Sequence, residues 1–327
     1  MRISITIETQ MGVTWPIWKQ LISVLEAKGF HTIFRSDHFP LGNPPATDTL
    51  ELITSLTYLA DHTQRVNFGT LVAPLSFRDP VMLARQAMSL NDLGNGRMIL
   101  GVGTGWAEEE HKQFGYNLGD TKTRLDRLDE GLQVISALLR DDQPVNFEGR
   151  FFNLQNARLL PRPQHPTRIL IGGNGRKRTL PLVARYADLW NCQVETPETF
   201  RELNRLLDEL ILAEGRQPGD VKRTVMNPIM LFRNPSELDR IVGIIRSIPI
   251  YSWVDAQQLL DFSNSMKGIN GSPEQVIEKM QAYADAGADE FVIQWFYSND
   301  IEGLEELASE ILPHFTSQAS GESIPAA

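Results

Sequence analysis

Cysteine is almost absent from this sequence, which contains only Cys192 among 327 residues. A single cysteine forms no internal disulfide. The chain also lacks a CxxC motif, and its six histidines do not gather at the spacing of a metal site. We therefore expect no disulfide and no bound metal, and we expect the protein to reside in a reducing cytoplasm.

Positive charge and long apolar runs are also scarce. Lysine and arginine number 31 against 41 acidic residues, and the formal net charge of −10 is spread along the chain. Repulsion from phosphate argues against nucleic acid and anionic membranes as partners. No apolar run reaches the roughly 18 residues of a membrane span, and the first residues, MRISITIETQ, alternate like a strand rather than a signal peptide. We expect a soluble, cytoplasmic protein that binds a small molecule.

The chain repeats a strand followed by a helix eight times. Eight such units exceed what an open sheet normally contains. The pattern therefore predicts an α/β fold, a closed (β/α)8 TIM barrel that forms one domain over residues 1–315. The small and polar residues 316–327 are expected to form a flexible tail. The predicted strands are 2–7, 31–35, 65–72, 97–103, 168–173, 187–192, 224–232 and 289–295, and the predicted helices are 15–28, 50–61, 80–93, 122–139, 175–186, 198–213, 273–286 and 301–312.

Three segments interrupt the repeat and are predicted insertions. A long loop near 104–120 follows the fourth strand, and the segment near 143–156 predicts a small hairpin that turns at Glu148-Gly149. Residues 236–270 form the longest excursion. Because this excursion mixes apolar residues with glycine and proline, it predicts a lid that covers the substrate end of the pocket and moves.

Unusual residues cluster in the loops that follow the strands. In a TIM barrel the active site lies at the C-terminal ends of the strands, where these loops meet. The stretch FRSDHFPLGN places Asp37 and His38 just after the second strand, and four further unusual loops follow the third to sixth strands. A loop histidine is often only a solvated side chain, but a position on this rim favours a role in the site.

The fifth strand ends in GGNGRKR, residues 172–178. Its glycines let backbone amides approach an anion, the next helix points its positive end at the same place, and three basic residues add charge. The loop predicts a phosphate site, with an ordinary glycine-rich turn as the alternative. GVGTGW, after the fourth strand, is not a dinucleotide fingerprint, because that motif follows the first strand of an open sheet.

Four stretches together carry a resemblance to a known family. They are SDHF, GTLVAPLSFRDPVMLARQA, DLGNGRMILGVGTGWAEEEHKQFG and RILIGGNGRKRTLPLVARYADLWN. In this order they resemble the motifs of the bacterial-luciferase-like oxidoreductases, and SDHF and GVGTG are similar to the branch that uses the deazaflavin coenzyme F420. The match spans roughly residues 1–192 and implies a TIM barrel with insertions.

The resemblance implies roles for several residues on this rim. His38 would lie near the reacting carbon of the cofactor ring as the proton partner. Asp37 would anchor the loop or touch the cofactor rather than pair with His38, since successive side chains of an extended chain diverge. Leu71 and Val72 match a bulge, often with a non-prolyl cis peptide, that presses on the ring, with an ordinary strand end as the alternative. The other implied cofactor-binding residues are Thr104, Gly105 and Glu109 over the ring and Gly172, Gly173, Asn174, Gly175 and Arg176 at the phosphate.

Two further candidates for catalysis are Trp106 and Glu8. In the sugar-phosphate dehydrogenases that this chain resembles, a glutamate acting as an acid follows GVGTG, whereas this chain has Trp106. The difference argues against a sugar phosphate as the substrate. It predicts that Trp106 forms a wall of the substrate or ring pocket, with core packing as the alternative. Glu8 is similar to a family acid, with a solvated carboxylate as the alternative. Glu108, Glu109 and Glu110 are predicted to form an exposed helix start from which Glu109 faces the cofactor.

The resemblance implies that a hydride passes between F420 and a small organic substrate. One alternative is an FMN-dependent monooxygenase that uses oxygen and takes reduced flavin from a separate reductase. Another is a barrel that binds a deazaflavin or a metabolite without turning it over. The resemblance also implies a homodimer.

Overall fold

Eight parallel strands close into a barrel, which confirms the predicted (β/α)8 fold. The computed structural model describes residues 1–193 and 195–316. Its strands are β1 (Arg2–Ile7), β2 (Thr32–Arg35), β3 (Asn67–Thr70), β4 (Ala73–Pro74), β5 (Met98–Gly103), β6 (Val145–Glu148), β7 (Asn153–Ala157), β8 (Arg168–Gly172), β9 (Leu189–Gln193), β10 (Lys222–Leu231), β11 (Ile269–Gly271) and β12 (Glu290–Trp295). Around the barrel the order is β1, β2, β3, β5, β8, β9, β10 and β12, and β12 pairs with β1 to close the ring.

Helices follow the barrel strands and cover their outer face. The helix α1 ends at Gly29, whose φ of 96° lies in the left-handed region, as predicted. Pro80 begins α3, where its missing amide hydrogen breaks no helical bond, and Asp79 caps that helix. The α-helices of the described residues are α1 (Trp15–Lys28), α2 (Leu52–His62), α3 (Pro80–Leu93), α4 (Glu108–Gln113), α5 (Thr121–Arg140), α6 (Thr179–Tyr186), α7 (Pro197–Ala213), α8 (Pro235–Arg246), α9 (Ala256–Ser265), α10 (Pro273–Asp285) and α11 (Ile301–Thr316).

Two helices begin later than their sequence pattern predicts. The helix α2 was expected to start after Asp48 or Thr49, but Glu51 is its cap and accepts a hydrogen bond from the Thr54 amide at 2.8 Å. The helix α6 was expected from residue 175 and begins at Thr179. Residues 176–178, just before α6, form a turn at the mouth of the barrel.

The interior of the barrel is an apolar plug below the mouth. Alternate residues of each strand point inward, so every second side chain packs against side chains from the other strands inside the barrel. At the opposite end Glu290 accepts a hydrogen bond from Ser4, and burial raises the pKa of Glu290. The plug gives the mouth a rigid floor. Its buried members are Phe34, Leu71, Ile99, Leu170, Leu189, Met226 and Val292.

The predicted insertions contain more structure than their sequence indicates. The hairpin is confirmed: β6 and β7 pair antiparallel, with Glu148 opposite Asn153. The excursion 236–270 was predicted without internal elements, yet it contains most of α8, all of α9 and the start of β11, which pairs with β10. Residues 317–327 of the predicted tail lie outside the described residues.

No α-helix in the described part of the chain combines the length and the apolar character that crossing a membrane requires. Within the same residues, no three histidine, cysteine or carboxylate side chains come together as a metal site would require.

Candidate functional site

The loops at the C-terminal ends of β1, β2, β3, β5 and β8 meet at one mouth of the barrel, because all the barrel strands run parallel. These loops carry the residues that the sequence predicts for the site. The residues are Glu8 after β1, Asp37 and His38 after β2, Leu71 and Val72 after β3, Thr104, Gly105 and Trp106 after β5, and Gly173, Asn174, Gly175 and Arg176 after β8.

His38 pairs with a carboxylate that the sequence pattern did not single out. Its Nδ1 lies 3.2 Å from Glu110 Oε1 and 3.1 Å from Oε2, and Glu110 also accepts from the Phe39 amide. Burial of His38 opposes its protonation. The hydrogen bond and charge of Glu110, helped by Glu8 and Asp37, outweigh burial and raise the pKa of His38. The pair therefore fixes the ring and leaves Nε2 as the nitrogen for a ligand.

Asp37 pairs with Arg78 rather than with His38, as the sequence predicts for a residue that anchors the loop. Both oxygens of its buried carboxylate bind Arg78, with Arg78 Nε 2.8 Å from Oδ2 and Nη2 2.9 Å from Oδ1. Such a two-point ion pair holds both groups in a fixed orientation. Asp37 therefore anchors the loop that presents His38.

Trp106 lies on the surface of the mouth and is 72% exposed, so core packing is the wrong interpretation. Its ring meets His38 edge to face, with the ring centroids 5.6 Å apart and the planes at 77°. Trp106 therefore forms part of the wall beside the imidazole.

The three glutamates after Trp106 differ in direction. Glu108 and Glu109 are exposed, and Glu109 accepts a hydrogen bond from Asn43 at 3.0 Å. Glu110 is buried beside His38. The prediction of an exposed helix start is right for the first two and wrong for Glu110. Glu110 rather than Glu109 faces the site, because α4 begins at Glu108 and turns its third residue inward.

Leu71 and Val72 form a shelf on the apolar plug. The peptide bond between them is cis. Val72 packs on the plug and is flanked by two glycines: a β-carbon on Gly103 would lie 2.5 Å from Val72 Cγ2, and one on Gly172 would lie 3.3 Å from Val72 Cγ1. The two glycines therefore make room for the Val72 methyl groups. Val72 thus lies above the plug as its partly exposed apolar cover, while Leu71 belongs to the plug itself.

The loop after β5 is held in place from both sides. Gly105 has a φ of 76°, and a β-carbon there would collide with Ser76. The Ser76 hydroxyl in turn lies 2.7 Å from Nε2 of the buried His111, and Arg124 donates to the carbonyl of Gly105 at 2.9 Å. Thr104 donates to the same carbonyl at 3.2 Å. This loop is thus a rigid edge of the mouth.

The turn after β8 combines exposed backbone with a helix N-terminus. Gly173 has a φ of 126°, and its amide donates to Asn191 at 3.0 Å, so that amide serves the fold. Among the described residues, none accepts a hydrogen bond from the amides of Gly175, Arg176 and Lys177. The α6 helix begins two residues later and adds its positive end. The turn has the donors that a phosphate needs.

The side chains of this turn already have partners. Asn174 donates to the carbonyl of Gln193 at 2.7 Å and ties the turn to β9. Arg176 pairs with Glu202 at 2.9 Å, and Arg178 pairs with a carboxylate of α5 at 2.8 Å. These exposed ion pairs are weak in water, so a phosphate can replace the carboxylates.

Glu8 is buried rather than solvated, so the alternative reading as a solvated carboxylate is wrong. Gln294 donates to its Oε1 at 2.7 Å and Gln10 donates to its Oε2 at 2.8 Å, while the Ser36 hydroxyl donates to Gln10 Oε1 at 3.0 Å. The Oε1 atom of Gln294 is buried and lacks a partner within the described residues. This network places a fixed carboxylate and an unused acceptor on the β1 and β12 side of the mouth.

A profile of the family described as luciferase-like monooxygenase matches residues 8–290. The chain belongs to this family. The F420-dependent glucose-6-phosphate dehydrogenase of Intrasporangium calvum is 27% identical over 313 residues, 88% of this chain and 91% of that protein. A pyrimidine monooxygenase of Yersinia enterocolitica is 31% identical over 173 residues, 51% of this chain and 46% of that protein.

Solved structures share the fold of this luciferase-like chain. An F420-dependent secondary alcohol dehydrogenase in complex with an F420-acetone adduct has a TM-score of 0.78 at 20% identity, over 96% of this chain and 99% of that one. The relatives are dehydrogenases and monooxygenases. The protein is therefore an enzyme of the luciferase-like oxidoreductase family.

Sequence reasoning missed four residues of this luciferase-like site: Glu110, Arg78, Gln10 and Gln294. For Glu110 a signal exists, because a helix that starts at Glu108 puts Glu110, His111 and Phe114 on one face. Arg78 carries no local signal, since it reaches Asp37 from another loop. The two glutamines are polar residues beside strand ends and are recognised only once β12 is known to pair with β1.

We expect Glu110→Gln to lower the pKa of His38, because the change removes the carboxylate charge that raises it. The titration of the His38 ring followed by NMR measures this shift. In the wild type the protonated pair stabilises the fold below the unfolded pKa of histidine, about 6.5. That contribution is lost as the pH rises through the raised folded pKa. Glu109→Gln is the matched control, and an equal shift in both variants would contradict the assignment.

Proposed function

We propose that this protein is an F420-dependent oxidoreductase that acts on a small organic substrate. The observation that carries the proposal is the extent of the sequence match. The F420-dependent relative of Intrasporangium calvum aligns over 88% of this chain, whereas the pyrimidine monooxygenase of Yersinia enterocolitica aligns over 51%. The geometry of the mouth supports the same function.

The residues of the mouth fit a planar ring with a phosphate-bearing chain. Val72 lies on the apolar plug, with Gly103 and Gly172 making room for its methyl groups, and an apolar surface of this kind suits one face of a ring. The free amides and the helix N-terminus after β8 suit the phosphate. When bound, F420 supplies two-electron chemistry by giving or accepting a hydride at one ring carbon.

His38 is the residue we assign to proton transfer. Its Nδ1 is engaged by Glu110, which leaves Nε2 to donate a proton to a substrate oxygen or nitrogen or to accept one from it. Asp37, through Arg78, keeps the loop in place, and Trp106 covers one side of the imidazole from water. Across the mouth, the unused Gln294 Oε1 can accept a hydrogen bond from a substrate hydroxyl or amine.

An FMN-dependent monooxygenase is the second candidate, because the matched family is described as luciferase-like monooxygenase and one relative is a pyrimidine monooxygenase. A titration of the purified protein with F420 and with FMN under identical conditions, followed by cofactor fluorescence, separates the two. The proposal requires F420 to bind at least about tenfold more tightly, which is about 1.4 kcal/mol. Tighter binding of FMN would refute F420 as the cofactor and favour the monooxygenase.

Several properties stay predictions of the sequence and its resemblance. They are the homodimer, the cytoplasmic location, the lack of nucleic-acid and membrane partners, and the separate reductase that an FMN-dependent reaction would need. Sedimentation of the purified protein measures the first of these directly.

The excursion 236–270 is predicted to be a lid. We expect amide exchange in this segment to slow by about tenfold when F420 and a substrate are bound, because closure buries exposed amides. Hydrogen-exchange mass spectrometry measures the change, with α5 as an internal reference. Equal exchange rates with and without ligands would show that the segment does not close over the site.

A further inference from the structure

A cavity of about 160 Å³ lies between the excursion and the barrel mouth. We propose that it binds the body of the substrate and selects a compact, uncharged, apolar molecule about the size of one six-membered ring. The inference rests on the proposed function, since it assigns the substrate class of that same site.

The walls of the cavity are apolar. Aromatic side chains supply much of the lining, together with aliphatic residues such as Leu259. Its polar groups are the side chains of Gln258 and Ser263 and the hydroxyls of two tyrosines, and among the described residues no lysine, arginine, histidine or carboxylate lines it. Burying a phosphate or another charge here would cost several kcal/mol without a partner. The lining therefore excludes a phosphorylated sugar, in agreement with Trp106 at the position where the sugar-phosphate dehydrogenases have a glutamate.

The volume sets the size of the occupant. An apolar cavity of about 150 Å³ in another protein stays dry and binds benzene. A cavity of 160 Å³ therefore holds one ring or a short branched chain. A steroid or a long alkyl chain needs a pocket several times larger.

The position of the cavity connects it to the buried network of Glu8 and Gln294. Met11 lines it, and the Met11 amide donates to the Glu8 carbonyl at 3.0 Å. Phe296 lines it from just beyond the end of β12, two residues after Gln294, and residues two apart on an extended chain point to the same side. A ring in the cavity would thus direct its polar substituent toward Glu8 and Gln294.

The rim of the cavity is open to a ligand. Trp253 is 64% exposed and Phe262 is 50% exposed, although both line an apolar space. The Trp253 ring is held by a hydrogen bond to the Ile250 carbonyl at 2.9 Å. Exposed aromatic rings around an apolar cavity are typical of a binding site, because a ligand removes their surface from water.

The test uses benzyl alcohol, cyclohexanol and glucose 6-phosphate as probes of the full chain without cofactor, with binding measured by calorimetry and tryptophan fluorescence. We expect the two alcohols to bind saturably and glucose 6-phosphate to bind at least tenfold more weakly. Leu259→Trp, which fills the cavity, should weaken binding of the alcohols at least tenfold. Leu212→Trp on the exposed face of α7 is the matched control and should bind as the wild type does.

A second variant keeps the test decisive if Leu259→Trp does not fold. Leu259→Ala enlarges the cavity and should shift the preference from benzyl alcohol toward 2-naphthol by about tenfold. Unchanged alcohol binding in the folded Leu259 variants, or glucose 6-phosphate binding as tight as that of the alcohols, would overturn the proposal. A parallel titration of the wild-type protein with F420 separates the two proposals. If F420 does not bind but the alcohols bind in a way that depends on Leu259, the cofactor proposal is refuted and the cavity proposal is retained.

Discussion

His38→Ala is expected to lower turnover by roughly 10²- to 10⁴-fold while the affinity for F420 changes by less than about threefold. A proton must reach or leave the substrate oxygen or nitrogen when the bond to carbon changes order, and a positioned imidazole supplies or accepts it near neutral pH. The affinity is retained because the shelf and the turn after β8 do not include His38. Steady-state kinetics and a separate F420 titration measure the two effects.

The matched control for this variant is His62→Ala, at the exposed end of α2. It removes the same side chain away from the mouth and should leave turnover unchanged. Glu110→Gln should lie between the wild type and His38→Ala, because it keeps the imidazole but changes its pKa. Full activity of His38→Ala on the true substrate would show that the loop histidine has no catalytic role.

The fold was predictable because the pattern is repetitive. Eight strand-helix units, each with its own hydrophobic period, restrict the chain to a closed barrel, and the rule that sites lie at strand C-termini then gathers distant loops at one mouth. The prediction that Asp37 anchors the loop rather than pairing with His38 followed from the geometry of an extended chain. Both inferences depend on local periodicity, which a single sequence contains.

Details that depend on contacts between distant segments were not predictable. Glu8 looks like an exposed acid at a strand end, and its burial depends on Gln294, which is adjacent only because β12 closes the barrel against β1. The helices α8 and α9 lie between β10 and α10, so in the sequence they interrupt the strand-helix repeat and read as an excursion. The one-residue error between Glu109 and Glu110 arose because the start of a helix fixes the direction of each following side chain.

Gly173→Asp is expected to weaken F420 binding by roughly 10- to 10³-fold. Two like charges about 4 Å apart repel by about 1 kcal/mol in bulk water and about 4 kcal/mol near a protein surface. The substitution would place a carboxylate beside the amides of Gly175 to Lys177, where the phosphate and acidic tail of F420 are proposed to lie. Fluorescence titration with F420 measures the loss, which should decrease at high ionic strength because salt screens exposed charges.

The effect of the added charge in Gly173→Asp must be separated from the effect of backbone strain. With φ at 126°, any side chain at this position strains the chain, so Gly173→Asp also has a structural cost. Gly173→Asn carries the same strain and nearly the same volume without the charge, and it is the matched control. The difference in affinity between the two variants therefore reports the charge alone. If F420 binds both with equal affinity at low salt, the phosphate does not lie at this turn, and the exposed amides after β8 serve another purpose.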